Sequence, residues 1–253
     1  MYMDWEQNPG ARIIFDNGSH TIKAGLGSSK TPQITVENLA GTSIINEHLS
    51  NIFLAINRKT GNVVIGEQIN DIFIESEFNY IKPLCRGVLV KFDNETAIWD
   101  EIFKTLTNTD SSNLKLKDNM FALTMHPFVP YKVKEKMLEI IFEYYGFGGF
   151  LPCLSQQMIR SYALNELKGM FDPNFQLIVE SGHSATYVAP FFNSEFMSYA
   201  CKKLDVGGKL LTNYLKESIS FKYLDLSKDY RTVGNIKESL GFVSLDFKTD
   251  IKK

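Results

Sequence analysis

The chain has 253 residues, of which 44% are hydrophobic and 13% aromatic; that is enough apolar side chain to bury a core in one large or two modest domains, and it argues against disorder as the dominant state. Lys plus Arg number 27 against 29 Asp plus Glu, a net charge of -2, so there is no basic field for holding nucleic acid by phosphate neutralisation, and direct sequence-specific nucleic-acid binding is not expected. Three scattered cysteines, Cys85, Cys153 and Cys201, suit neither a disulfide framework nor a zinc site, and with no apolar leader or long apolar run the expectation is a non-secreted protein without a membrane partner, in a reducing compartment.

The first element is an apolar run, Arg12 to Phe15, that ends at Asp16-Asn17-Gly18-Ser19, after which His20 to Leu26 resumes a strand pattern. Asn-Gly between two such runs predicts a hairpin, because both residues tolerate positive φ. From Ile34 to Gly66 the pattern is mixed, with a polar turn before Val63-Val64-Ile65. Glu95 to Thr107 places Ile98, Trp99, Ile102, Phe103 and Leu106 on one helical face, and Val133, Met137, Ile140, Ile141 and Tyr144 form a second such face after Pro130. A strand from Met120 to Met125 lies between them. Gly146 to Gly149 closes the second helix, and Leu154 to Leu167 is predicted as a third.

A strand from Phe175 to Val179 then leads into Glu180-Ser181-Gly182-His183-Ser184 and a second strand from Ala185 to Phe192. This repeats the opening design: a carboxylate, a small polar residue, glycine, a tight polar turn and a second strand. The repetition predicts two similar α/β halves whose hairpins face a shared cleft. Successive N–H groups in such a turn can cradle phosphate without net positive charge. Asp16 or Glu180 could hold a hydrated Mg2+ beside it, and Lys23 could add a point charge. Two ordinary surface hairpins would fit the same residues. His20 and His183 lie within the turns, whereas His48 and His126 read as structural. No Walker loop, nucleophile elbow or His-Glu-x-x-His helix occurs.

Ile14-Phe15-Asp16-Asn17-Gly18-Ser19 with Lys23-Ala24-Gly25 resembles the first phosphate loop of the actin family, and Val179-Glu180-Ser181-Gly182 with Thr186 resembles its second. Further likeness lies in Pro130 to Met137, in Ile236-Lys237-Glu238 and in Val243 to Phe247, so that it extends from Arg12 to the end. Phe78 to Val90 and Asp205 to Glu217 are most similar to the sixth subgroup of actin-related proteins. The resemblance implies an α/β, actin-type (ribonuclease H-like) fold of two halves around a nucleotide cleft. The first half would be 1–152, with a reduced outer subdomain at about 34–80, and the second, partial half 153–253, the fold being C-terminally incomplete. It also implies ATP or ADP with Mg2+ as cofactors, bound through Asp16, Gly18, Ser19, His20, Lys23, Gly182, His183, Ser184, Gly208, Lys237 and Glu238. Asp16 and Glu180 would hold Mg2+ through water. Gln157, with Gln156 in the alternative register, and Glu180 are the weak catalytic candidates.

The departures from the family pattern shape the functional expectation. His20 stands for a loop glycine, Glu180 for an aspartate, His183 for a second-loop aspartate and Tyr187 for a histidine near the attacking water. In a site where a misplacement of about 1 Å costs about a hundredfold, they imply binding that tolerates metal removal, without efficient hydrolysis. The resemblance therefore implies a non-catalytic nuclear subunit of a histone-exchange remodelling complex, its partners being the complex's protein subunits and, indirectly, histones or the nucleosome. The shortened stretch between Gly41 and Gly66 implies no filament. The alternative is an ATP-hydrolysing or cytoskeletal, cytoplasmic actin-like protein.

Overall fold

The structure, a computed structural model, describes residues 12–43, 63–65, 78–109, 115–167, 169–220 and 230–252. Most of the stretch from Gly41 to Gly66, which carries the filament expectation, lies outside the described residues, as does His48. The chain forms two compact units, Met1–Gly207 and Gly208–Lys253. The expected halves divide it by its duplicated hairpins instead, and residue 152 lies inside a strand of the first unit.

The first unit is built on a five-stranded sheet ordered β10-β9-β1-β2-β3, where β1 is Arg12–Asn17, β2 Thr21–Leu26, β3 Ile34–Glu37, β9 Met120–Met125 and β10 Gly149–Leu154. β1 pairs antiparallel with β2 and parallel with β9, and β9 is parallel to β10. Between β3 and β9 come β4 Ala40–Ser43, β5 Val63–Ile65 and β6 Phe78–Ile81, which form a small antiparallel sheet, and the ribbon β7 Leu84–Cys85 with β8 Val88–Leu89. Helix α1, Phe92–Thr109, packs the predicted apolar face inward, and Ile98, Trp99, Ile102, Phe103 and Leu106 are all buried. Around Phe121 the rings of Phe15, Trp99, Phe103, Phe147 and Phe150 have centroids 5.0 to 6.1 Å away. This aromatic cluster clamps β1 and β9 to α1.

Helix α2, Tyr131–Glu139, does not run to Tyr144 as its periodicity predicts. It widens into a π turn, Ile140–Tyr144, where an extra residue per turn brings both Tyr144 and Tyr145 hydroxyls onto Asp100, at 3.3 and 2.9 Å. Helix α3 is Ser155–Glu166, directly after β10. The second sheet is β11 Phe175–Ser181, β12 Thr186–Phe192 and β13 Glu195–Phe196 in that order, with β14 Lys202–Leu204 also on β12. The second unit holds α4 Gly208–Ser220, α5 Tyr230–Leu240 and α6 Phe247–Asp250. On α4 the apolar Leu210, Leu211 and Tyr214 are exposed.

Among the described residues no helix is long and apolar enough to cross a membrane. All three cysteines are free, Cys153 and Cys201 being buried and Cys85 exposed.

Candidate functional site

The two hairpins superimpose in register. The last cross-strand pair of the first is Asn17 with Ile22, that of the second Ser181 with Thr186, so each turn spans four residues and begins with glycine. Asp16 and Glu180 occupy the equivalent position one residue before the closing pair. The glycines do not serve the purpose predicted for them, since neither Gly18 nor Gly182 has positive φ. A Cβ on Gly18 would instead meet the Thr21 carbonyl oxygen at 2.6 Å; the turn is tight because of a close approach of backbone to backbone.

The turns meet tip to tip. Ser184 Oγ donates to Ser19 Oγ at 2.7 Å, and the His20 and His183 rings stack at 4.7 Å and 17°. Lys82 Nζ lies 3.0 Å from His183 Nε2. Behind the tips a cavity of about 90 Å³ is lined by Asp16, Gly18, Ser19, Thr124, His126, Ser155, Glu180, Gly182, His183, Ser184 and Tyr187, among others. Ligand pockets for whole small molecules run to about 300 to 1,000 Å³; this one suits a phosphate group with water. The backbone N–H groups of Ser19 and Ser184 make no hydrogen bond among the described residues, and Ser19 is buried. Both residues line the cavity, so their N–H groups could donate to an anion there.

Each carboxylate is held by one oxygen. Asp16 Oδ1 accepts from Thr124 Oγ1 at 2.8 Å, and Glu180 Oε2 accepts from Ser155 Oγ at 2.8 Å and Gln156 Nε2 at 2.5 Å. Their other oxygens carry no hydrogen bond among the described residues, and both side chains border the cavity. A cation that keeps several waters and takes one or two carboxylates fits this arrangement; no cluster of three metal-binding side chains occurs among the described residues. The same geometry revises the expected tolerance of metal removal. Two carboxylates beside a phosphate-sized space repel an anion unless a cation lies between them.

The two candidate glutamines differ in burial, and neither lines the cavity. Gln157 is exposed on α3, whereas Gln156 is fully buried against Glu180, a consequence of the 100° step between helical neighbours. Lys23 is exposed on β2 opposite Asp16 and does not line the cavity. Gly208, Lys237 and Glu238 belong to the second unit. There Lys237 Nζ donates to Thr212 Oγ1 at 3.0 Å and to the Gly208 carbonyl at 3.4 Å, and Glu238 is exposed. His126, taken as structural in the sequence, borders the cavity and stacks on Tyr187 at 4.7 Å and 12°. Burial holds its imidazole below the usual range, with Glu180 and Asp16 pulling the other way. Burial, then Glu180, pushes the Tyr187 phenol up to about 12. The signal for His126 was its place just past the carboxyl end of a central parallel strand, where ligands of α/β sheets gather. Across Tyr187 lies the β7–β8 turn, where a Cβ on Gly87, φ +81°, would stand 3.0 Å from the Tyr187 hydroxyl.

The second loop is pinned from beneath by Gly207, at which a Cβ would meet the carbonyl oxygens of Gly182 and His183 at 2.7 Å each. The first rests on a buried polar network. Asn17, the inward polar residue of β1, donates through Nδ2 to Glu95 Oε1 at 2.6 Å and accepts from Trp99 Nε1 at 3.1 Å. Asn38 Nδ2 donates to Glu95 Oε1 at 3.2 Å and to the Gly18 carbonyl at 2.9 Å. Burial pushes the Glu95 carboxyl up from 4.5 to about 7 against these hydrogen bonds. Its native pKa being the higher one, the folded state binds more protons than the unfolded, so stability is full below about pH 4.5 and falls as pH rises towards about 7. Glu95→Gln is expected to melt higher than the parent at about pH 8, by up to about 3 kcal/mol, and to converge with it near about pH 4.5; equal melting at the higher pH would exclude this.

With two equivalent strand-turn-strand loops meeting over one cavity, the family comparison becomes decisive. The sequence profile of the family described as Actin matches residues 8–251. The chain belongs to the actin family. Among similar proteins are actin-related protein 6 of Dictyostelium discoideum, 29% identical over 95% of this chain and 49% of that protein, and that of Drosophila melanogaster, 28% identical over 94% of this chain and 56% of that protein. Actin-like protein arp6 of Aspergillus fumigatus is 30% identical over 97% of this chain and 54% of its own length. The chain is thus an actin-related protein of mixed α/β fold that spans about half the length of the curated relatives it matches. Nucleotide binding is the general property of the family.

Proposed function

We propose that the chain is part of a non-catalytic nuclear subunit of a histone-exchange remodelling complex, whose loop cleft binds the phosphates of ATP or ADP with Mg2+ but does not turn ATP over efficiently. The observation that carries this reading is the tip-to-tip closure of the loops, with His20 stacked on His183 and Ser184 bonded to Ser19. The imidazole pair fills the space between the loop tips, which leaves the Ser19 and Ser184 N–H groups to a nucleotide's phosphates but crowds an attacking water. The similarity to proteins named actin-related protein 6 supports the subgroup.

The test is the nucleotide content of the purified protein, followed by single-turnover measurement with labelled ATP. Bound ADP or ATP that is released by chelating Mg2+, without turnover above buffer, is the expected result. Steady turnover would overturn it in favour of a second reading, an ATP-hydrolysing actin-like protein. One observation favours that alternative: His126, an imidazole kept neutral by burial, borders the cavity together with Glu180, where it could accept a proton. Turnover abolished by both Glu180→Gln and His126→Gln would establish it.

A further inference from the structure

Glu95 does not border the cavity, yet the first loop is built on it. Its side chain is 1% exposed, and that of Asn38 is fully buried. Asn38 is a bracket with three attachments: its amide nitrogen donates to Glu95 Oε1 and to the Gly18 carbonyl, and its backbone N–H donates to the His20 carbonyl at 2.7 Å. Asn17 provides a second route from Glu95 to the strand end that carries Asp16. Two loop carbonyls and the Asn17 side chain at the end of β1 are therefore fixed relative to one carboxyl group.

That group lacks the usual compensation for a buried charge. Its hydrogen-bond donors are Asn17 and Asn38, the Trp99 indole that donates to Asn17 Oδ1 lies close by, and no cation is among the influences on it. The titratable group facing it from the segment after the π turn is Tyr145, whose phenol burial and Asp100 push up and whose hydroxyl is committed to the Thr96 carbonyl and Asp100. Glu95 Oε2 and Asn38 Oδ1 are both buried acceptors without a hydrogen-bond partner, so a proton on the carboxyl would supply a donor that these two atoms lack. Buried charge interacts over longer range than exposed charge because little water screens it. An ionised Glu95 thus sets an uncompensated negative charge directly behind the turn whose N–H groups would receive phosphate.

We infer that Glu95 is a positioning residue through which protonation regulates the first loop: neutral Glu95 lets the Gly18–His20 turn hold phosphate, ionised Glu95 opposes it, and nucleotide binding draws a proton into the core. This rests on the reading of the loops as a phosphate site. By linkage the two events are reciprocal: bound phosphate raises the carboxyl's affinity for its proton, and raising the pH past neutrality weakens phosphate binding. With the carboxyl pushed up to about 7, the effect falls in the physiological range.

The experiment is calorimetric titration of the full chain and of Glu95→Gln with MgADP, at about pH 6 and about pH 8 and in two buffers of different ionisation enthalpy. Glutamine keeps the acceptor for Asn17 and Asn38 and stays neutral throughout, and contributions from His20, His183 and His126 are common to both proteins. The parent is expected to lose about tenfold more affinity than the variant over this range and to take up more protons near neutrality. Identical pH profiles with identical proton uptake would overturn the inference and leave the phosphate reading standing. Absence of MgADP binding by both folded proteins at either pH would overturn both. Should the variant fold poorly, carbon NMR of the Glu95 carboxyl in the parent decides the matter: its titration midpoint should rise on adding MgADP, and an unmoved midpoint sinks the idea.

Discussion

Phe121→Ala is expected to destabilise the first unit by about 3 to 5 kcal/mol, a large part of the roughly 5 to 15 kcal/mol that holds an ordinary domain together. Phe121 is fully buried in the middle of the sheet, and its ring touches partners from β1, α1, β10 and the segment after the π turn. No neighbour can collapse into the space, since Phe15, Trp99 and Phe103 are themselves held by one another. Denaturant unfolding followed by tryptophan fluorescence is the measurement, because Trp99 lies 5.8 Å from Phe121, centroid to centroid. A loss below about 1 kcal/mol would show that the cluster is not the joint between β1 and α1.

Gly207→Ala is expected to act on the site as well as on stability. The added methyl would meet three backbone atoms, the carbonyl oxygens of Gly182 and His183 and the amide nitrogen of Ala185, the last at 2.9 Å. Backbone cannot rotate away as a side chain can, so the second loop must shift, at a cost of about 3 kcal/mol. The Ser184 to Ser19 hydrogen bond and the imidazole stack should be lost with it, and nucleotide binding should weaken beyond measurement while the far sheet stays folded. Gly234→Ala on α5 is the matched control, because nothing lies within 4 Å of a Cβ there and the helix should gain slightly. Unchanged binding in Gly207→Ala would show that the second loop does not take part in it.

Much of this was legible in the sequence. The hairpins were, because alternation broken by a short polar turn has few other solutions. The first amphipathic face was too, since Ile98, Trp99, Ile102, Phe103 and Leu106 repeat at helical spacing and all reach the core, whereas of the second face Met137, Ile140 and Ile141 are buried and Tyr144 is exposed. What periodicity cannot express is contact across the chain. Glu95 sits in the first turn of α1, where an acidic residue is favoured by the helix dipole and reads as solvated; only the meeting of α1 with Asn17 and Asn38 makes it a buried anchor. The π turn hid for a similar reason, because one extra residue in a helix leaves the apolar pattern almost intact. That Gln156 and not Gln157 reaches Glu180 depends on the direction of α3 as it leaves β10, which neighbouring glutamines do not encode. The repeated hairpins predict a shared cleft, but the Ser184 to Ser19 hydrogen bond and the imidazole stack join residues distant in sequence and are not written in local pattern.

The exposed Cys85 gives the molecule a built-in attachment point. It belongs to the short ribbon whose Gly87 faces Tyr187 and His126 across the cavity wall, while Cys153 and Cys201 are shielded and burial pushes both their thiols up. A thiol-reactive dye added at one equivalent under mild conditions would therefore settle on the rim of the cleft without any engineered residue. The native protein can in this way report movement at its own candidate site.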